Sequence, residues 1–322
     1  MGKKNKSILS KINLGNMGIV YALIVLIIIF SCTTKTFFTL RNLTNIARQI
    51  SITGICAVGM TMVILTGGID LSIGSLLGIT STVAALMLSN GLPIWLTCVV
   101  AIVLGAVIGV INAVIINELT VPQMIATLGT QISLRGVTYL ITKGKPIYGL
   151  PEAFKVLGQG SIGSMPISSI IMLLVFVLGY IVINKRPFGR QIYGIGGNAE
   201  TARLSGVNIK MTIMRVYLWC GTFGALAGLI LTSRINSGQP VAGEGYEMDI
   251  VPSVVLGGIS ISGGEGKFIK VIIGVIFMGV LANGMMMLNI NEYWQKVVRG
   301  IVLIIAVAVD NRSKEKARAV KA

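Results

Sequence analysis

One carboxylate stands between two long apolar segments, in Thr66-Gly67-Gly68-Ile69-Asp70-Leu71-Ser72-Ile73-Gly74-Ser75. An ionisable group at such a place is expensive in hydrocarbon, so it has work to do there. Asp70 either accepts backbone N–H groups of Ser72 or Ile73 as a cap of the next helix, or pairs with Arg135, or takes part in transport. Few other residues offer chemistry. The chain has no histidine, which removes the usual general base and the commonest metal ligand. Cys32, Cys56, Cys98 and Cys220 are dispersed in apolar segments with no C-x-x-C pair, and read as small hydrophobes rather than as a zinc site or disulfide framework. With no nucleophile–base pair and no metal cluster, the sequence predicts neither an enzyme nor a bound cofactor.

The elements that must position Asp70 are membrane helices. Of 322 residues 54% are hydrophobic and 12% charged, and the mean hydropathy is +0.85. The net charge of +16 sits in short clusters at the ends of apolar runs, the pattern that orients a membrane protein rather than one that binds nucleic acid. At roughly 20 apolar residues per crossing, ten spans are predicted, near 17–33, 50–66, 73–90, 93–116, 123–141, 169–183, 211–232, 248–262, 268–288 and 295–309. The eighth contains Pro252 and ends in Gly257-Gly258, and so is a candidate for a broken or re-entrant helix, a form tolerated only inside protein.

Charge sets the orientation. Lys3, Lys4, Lys6 and Lys11, then Lys185, Arg186, Arg190, Arg203 and Lys210, then Arg312, Lys314, Lys316, Arg318 and Lys321 share one side if an even number of spans separates them. The expected fold class is therefore all-α and polytopic, with about ten transmembrane helices in two related halves and both termini cytoplasmic. Residues 1–16 form a cytoplasmic segment, 17–309 the transmembrane domain with a cytoplasmic loop at 184–210, and 310–322 a basic cytoplasmic tail. The loop 142–168 and the segment 233–247, with Glu244 and Glu247, face outward. The first span, followed by nine others, reads as an uncleaved signal anchor.

The motif around Asp70 returns loosely 190 residues on, from Gly67 to Gly257, as Leu256-Gly257-Gly258-Ile259-Ser260-Ile261-Ser262, with Ser260 in place of the acid. Duplicated halves are typical of transporters, although glycine-rich helix ends also resemble one another by composition alone. Gly74/Gly78, Gly105/Gly109 and Gly224/Gly228 are Gly-x-x-x-Gly pairs that let helix backbones approach. Two glycine clusters imitate nucleotide motifs. Gly194-Ile195-Gly196-Gly197-Asn198-Ala199 follows no strand, and Gly263-Gly264-Glu265-Gly266-Lys267-Phe268 lacks the first glycine and the final hydroxyl of a phosphate loop, so neither predicts ATP hydrolysis. Instead Asn198 is a good N-cap for Ala199-Glu200-Thr201-Ala202-Arg203-Leu204-Ser205, and Gly206 is placed to stop that helix. Such a rigid piece between two spans either passes a push from a soluble partner or is an ordinary surface turn.

Over nearly its whole length, from Phe37-Phe38-Thr39 to Val309-Asp310-Asn311, the sequence resembles the membrane permeases of bacterial carbohydrate ABC importers, and most closely those for ribose. Ala57-Val58-Gly59-Met60-Thr61, residues 66–75, Ile125-Ala126-Thr127-Leu128, Leu134-Arg135-Gly136-Val137-Thr138, the run Gly196 to Asn208, Gly245-Tyr246-Glu247-Met248-Asp249 and Val254-Val255-Leu256-Gly257-Gly258 carry the resemblance in this order. Pro252 departs from it, standing where a small residue such as alanine is expected, and the loop 142–168 is not closely matched. The resemblance implies a second permease copy, a cytoplasmic ATPase and an extracytoplasmic sugar-binding protein as partners, in the bacterial inner membrane among lipid, with no nucleic acid. It also implies that Asn198, Ala199, Glu200, Ala202, Arg203, Leu204, Ser205 and Gly206 dock into the ATPase.

For a neutral sugar the path should offer scattered hydroxyl and amide partners. Asn45, Gln49, Thr61, Asn112, Thr127, Thr130, Asn283 and Asn289 are candidates, each of which could instead join helices. Gly67, Gly68, Asp70, Ser72, Gly257 and Gly258 form the repeated structural motif. The rival reading is a self-contained ion- or proton-coupled sugar carrier, disfavoured by the lone embedded acid and the missing histidine relay. Xylose, galactose, allose or a sugar-like signal remain alternatives to ribose.

Overall fold

The structure, a computed structural model, describes residues 14–319, with side chains over 18–311; Lys3, Lys4, Lys6, Lys11 and the basic side chains of 312–322 lie outside the described residues. Most of the predicted spans are helices. They are α1 (Leu14–Thr33), α2 (Leu40–Leu65), α3 (Ile73–Ser89), α4 (Ile94–Glu118) and α5 (Gln123–Thr142). A short α6 (Val156–Gln159) and a two-stranded hairpin, β1 (Ser161–Ile162) and β2 (Met165–Pro166), lead into α7 (Ile167–Tyr180). Then come α8 (Pro187–Gly197), α9 (Ala199–Leu204), α10 (Ile209–Ile235), α11 (Glu247–Leu256), α12 (Val271–Met287) and α13 (Glu292–Ala319). Five are long and apolar enough to cross a bilayer by length and composition: α2, α4, α7 with its continuation to Lys185, α10, and α12 counted from Phe268. The chain folds as a polytopic helical bundle.

The bundle is built around α2, which is buried on all sides from Gly54 to Leu65. Small residues set its neighbours close. A Cβ at Gly59 would lie 2.7 Å from the Cα of Cys220 on α10, and one at Gly54 would meet Met172 on α7. The three predicted glycine pairs are all seams. Gly105 and Gly109 face the Gly221 and Tyr217 backbones, so α4 and α10 cross almost backbone to backbone, and Gly224 and Gly228 face Leu76 and Thr80 of α3. Gly74 and Gly78 face unwound chain instead of a helix. The antiparallel pairing of α4 with α10 is closed at one end by Lys210, whose Nζ is 3.0 Å from both Glu118 carboxylate oxygens. That end, which also carries α9, is opposite the hairpin end, where Arg48 of α2 donates to the Gln159 carbonyl and the Ser161 hydroxyl at 2.9 Å.

The eighth span differs from the prediction. The helix is Glu247–Leu256 rather than 248–262, ten residues, or about 15 Å, half a hydrocarbon core. Residues 238–243 supply the other half as non-helical chain, bridged at Gly238 to Ile147 and turning from Gln239 to Ala242. Gly238 packs at Ala85 and Ser81, the Ala242 carbonyl at Gly78 and Gly243 at Gly74, so the segment descends α3 over eleven residues, about 16 Å. Glu247 is thus not part of an outward loop, being only 8% exposed inside the bundle, whereas Glu244 is exposed.

Non-helical chain here leaves carbonyls that its own turns do not satisfy. Arg135 supplies them, donating Nη1 to the carbonyls of Pro240 (2.6 Å) and Ala242 (3.0 Å) and Nη2 to that of Gly74 (3.4 Å). Pro252 sits inside α11, where it removes one turn's N–H donor without ending the helix.

The repeat is real in structure but shifts register within itself. Gly67 and Gly258 both take positive φ (85° and 83°) and close matching Schellman ends. In α2, Gly67 N–H donates to the Ile64 carbonyl and Gly68 N–H to that of Val63; in α11, Gly258 donates to Val255 and Ile259 to Val254. Gly67 therefore corresponds to Gly258, an offset of 191. Two or three residues later the offset returns to 190, because Asp70 accepts from Ser72 N–H as Ser260 Oγ accepts from Ser262 N–H.

Replacing Gly109 by leucine drives a side chain into the Tyr217 carbonyl and should lower stability by about 1–3 kcal/mol or abolish folded yield. Gly129→Ala on α5, where a Cβ meets nothing within 4 Å, should leave the thermal midpoint in detergent unchanged or higher.

Candidate functional site

Asp70 is a cap and a network anchor. Its Oδ1 accepts from the Ser72 amide at 2.9 Å and the Ser72 hydroxyl at 2.6 Å, and the residue is 3% exposed. Ser72 Oγ in turn accepts from Asn112 of α4 (3.0 Å), and Asn112 Oδ1 accepts from Thr130 of α5 (2.6 Å). One carboxylate thereby ties three helices. Thr127 Oγ1 reinforces the same turn, accepting from Leu71 N–H and donating to Ile69 O, both at 3.1 Å. Arg135, offered in the sequence as a partner of Asp70, is instead committed to the non-helical segment before α11.

The other path candidates are placed as follows. Thr61 donates to the Ala57 carbonyl one turn back. Asn283 and Asn42 exchange reciprocal amide bonds at 3.0 Å, pinning α12 to α2. Asn289 ends α12 with positive φ (54°). Gln49 borders a small recess with Asp249, and Asn45 lines a cleft of about 480 Å³ at the hairpin end with Arg41, Thr44, Arg48, Ser161 and Ser164.

Two acids of α11 correct the reading of Asp70 as the lone embedded acid, and one of them, Glu247, also the expectation that it faces outward. Asp249 forms an ion pair with Arg299 of α13 at 3.0 Å, and Glu247 Oε1 accepts from Gln131 of α5 at 3.3 Å. Both lie in a segment whose acidic residues looked like loop chemistry. The available signal was the glycine pair Gly74/Gly78, which marks a close approach without saying by what.

At the opposite end from the hairpin, α9 forms where its cap residue places it. Asn198 Oδ1 accepts from Thr201 N–H at 2.9 Å, Glu200 occupies the first turn, and Gly206 (φ 83°) closes a Schellman end through Arg203 and Ala202 carbonyls. Ala202 faces inward, whereas Leu204, 75% exposed, and the Glu200–Arg203 pair (2.6 Å) face solvent. Arg203 holds the Glu200 carboxyl below the usual carboxylate range. An exposed leucine thus stands beside an ordered ion pair on a short, capped projection.

Directly behind α9 the two glycine clusters of the sequence meet. Gly264 N–H donates to the carbonyl of Leu65, the last residue of α2, at 2.9 Å, and Tyr193 of α8 donates its hydroxyl to the Gly266 carbonyl at 3.0 Å. Among the described residues no cluster of metal-binding side chains occurs.

Comparison with known proteins gives a consistent picture. The family described as the permease component of branched-chain amino acid transport systems matches residues 42–307. The ribose import permease protein of Bacillus subtilis (strain 168) is 42% identical over 298 residues, covering 92% of each chain. The galactose/methyl galactoside import permease protein of Escherichia coli (strain K12) is 36% identical, covering 95% of this chain and 96% of its own. The xylose transport system permease protein of the same organism is 32% identical, covering 96% and 94%. No solved structure matches.

Asp70→Ala should cost about 1–3 kcal/mol, because it leaves the buried Ser72 amide unpaired and frees the Asn112–Thr130 chain, while Asp70→Asn, which keeps an acceptor, should cost less. Thermal unfolding of the purified variants in detergent measures both.

Proposed function

Because the chain belongs to the permease family of branched-chain amino acid transport systems, we propose that it is the membrane subunit of an ATP-driven importer for a monosaccharide, ribose first. It is a multi-pass permease of the bacterial inner membrane and not an enzyme; ATP is hydrolysed by a separate subunit. Sugar is handed over by an extracytoplasmic binding protein and released to the cytoplasm by alternating access, a two-state bundle biased by ligand on one side and nucleotide on the other. Two copies of the chain, surrounded by lipid, enclose the path.

The observation that carries the sugar assignment is the graded identity, 42% with a ribose permease against 36% and 32% with those for galactose and xylose. The geometry supports the rest of the reading. Read as ten crossings, the eighth half non-helical and half helical, the order of helices returns both described ends to the side that carries α9, which is taken as cytoplasmic. Residues 199–204 with their caps dock into the ATPase. Asn45 and Gln49, on the part of α2 nearest the outer face, are the first polar groups that an entering sugar meets, and Thr61, Asn112, Thr127 and Asn283 set the helices that bound its route.

Deletion of the chain in its host should abolish uptake of labelled ribose and spare that of xylose and galactose. Glu200→Ala with Arg203→Ala should impair uptake while the protein still reaches the membrane. Ribose uptake that continues without the chain removes the assignment; uptake that survives ATP depletion but not collapse of the proton gradient favours the self-contained carrier.

A further inference from the structure

Gly196 and Gly264 sit where three segments cross with no side chain between them. A Cβ on Gly196 would collide with both the Leu65 carbonyl of α2 and the Gly264 amide. One on Gly264 would lie 2.5 Å from Gly197 N, and one on Gly263 would lie 2.7 Å from Gly67 N. Gly264 N–H also satisfies the otherwise unpaired Leu65 carbonyl at the end of α2. The C-terminal turn of α8, the loop after α11 and the end of α2 therefore bear on one another through backbone.

A contact between side chains yields by rotation about χ angles, whereas backbone against backbone has no such freedom. We propose that this glycine joint, with Gly196 as its positioning residue, transmits movement of α9 to α2 and to the loop that follows α11. The joint spans little distance: Asn198, the cap of α9, is two residues from Gly196, and Gly67, the turn of α2, is two residues from Leu65. Tyr193, three residues before Gly196, adds a hydrogen bond to Gly266 that keeps α8 from sliding over the loop. Two glycine motifs that resemble nucleotide sites without being such sites thus have a mechanical reason for their composition. The proposal rests on the reading of α9 as the helix that docks the ATPase.

The test uses the whole transporter, permease with ATPase and sugar-loaded binding protein, reconstituted in lipid vesicles. Gly196→Ala should keep the ATPase bound and its basal hydrolysis intact, yet lose about tenfold in ribose uptake and in stimulation by the loaded binding protein. Gly194→Ala makes the same chemical change one half-turn away, where the nearest atom, Ala202 Cβ, is 3.7 Å from the added methyl, and should stay within about twofold of wild type. Tyr193→Phe removes only a hydroxyl and should lower sugar moved per ATP by about threefold without loss of assembly. Wild-type uptake by Gly196→Ala overturns the joint, and so does an unchanged sugar-to-ATP ratio in Tyr193→Phe, which remains decisive if Gly196→Ala fails to assemble. Failure of the docking reading shows separately: Glu200→Ala with Arg203→Ala and Leu204→Asp would then still co-purify with the ATPase at wild-type yield.

Discussion

The architecture depends on the requirement that chain lacking helical hydrogen bonds be supplied with partners when it runs inside a bundle away from water. The non-helical half of the eighth crossing is where that requirement is most severe. Arg135 meets it with one guanidinium shared among three carbonyls. Gly74 and Gly78 meet it sterically, by letting the chain lie against α3. Once the segment is held there, α5 must stay beside α3 to carry Arg135, and Glu247 enters the bundle within reach of Gln131. A lysine in place of Arg135 would offer a point charge and not a planar fork, so the geometry selects arginine.

At the other end the design is different. Three helices there, α2, α9 and α11, stop with the Schellman arrangement that α3 and α12 also use at the hairpin end, and it lets the chain turn tightly. Those tight turns are what bring α8, α2 and the loop after α11 within backbone contact of one another. One half of the protein is thus buttressed by side-chain donors reaching over to backbone, and the other by glycine against glycine. A permease needs both a polar interior that can part and a stiff place on which an external motor pushes.

Much of this was legible in the sequence, for identifiable reasons. Helices α1 to α5 fall within a few residues of their apolar runs except α2, which begins ten residues early because Leu40–Gln49 is a largely polar stretch of nearly three turns that no hydropathy window includes. The cap of α9 was legible because Asn198 and Gly206 act within four residues of themselves. Glu247 was not, since an acid in a short segment reads as solvent-facing unless the neighbour that buries it is known, and that neighbour is more than a hundred residues away. The repeat was visible at an offset of 190 because identical Gly-Gly-Ile letters align, whereas hydrogen bonding aligns Gly67 with Gly258. Asn112, Thr127 and Asn283 illustrate a deeper limit. A hydroxyl or amide in a span has the same letter whether it joins helices or meets a solute, and only the position of a partner on another helix separates the two.

The two related turns also differ in what must exist before each is moored. Both close locally, since Asp70 and Ser260 each accept from the amide two residues on. The first is tied onward through Ser72 and Asn112 to Thr130 of α5. The second has a serine where the acid was, and its hydroxyl reaches Asp310 of α13 at a long 3.4 Å, fifty residues further on. During synthesis each turn can therefore set with its own stretch of chain, but the first is moored to its neighbours once α5 exists, and the mooring of the second waits for the last helix.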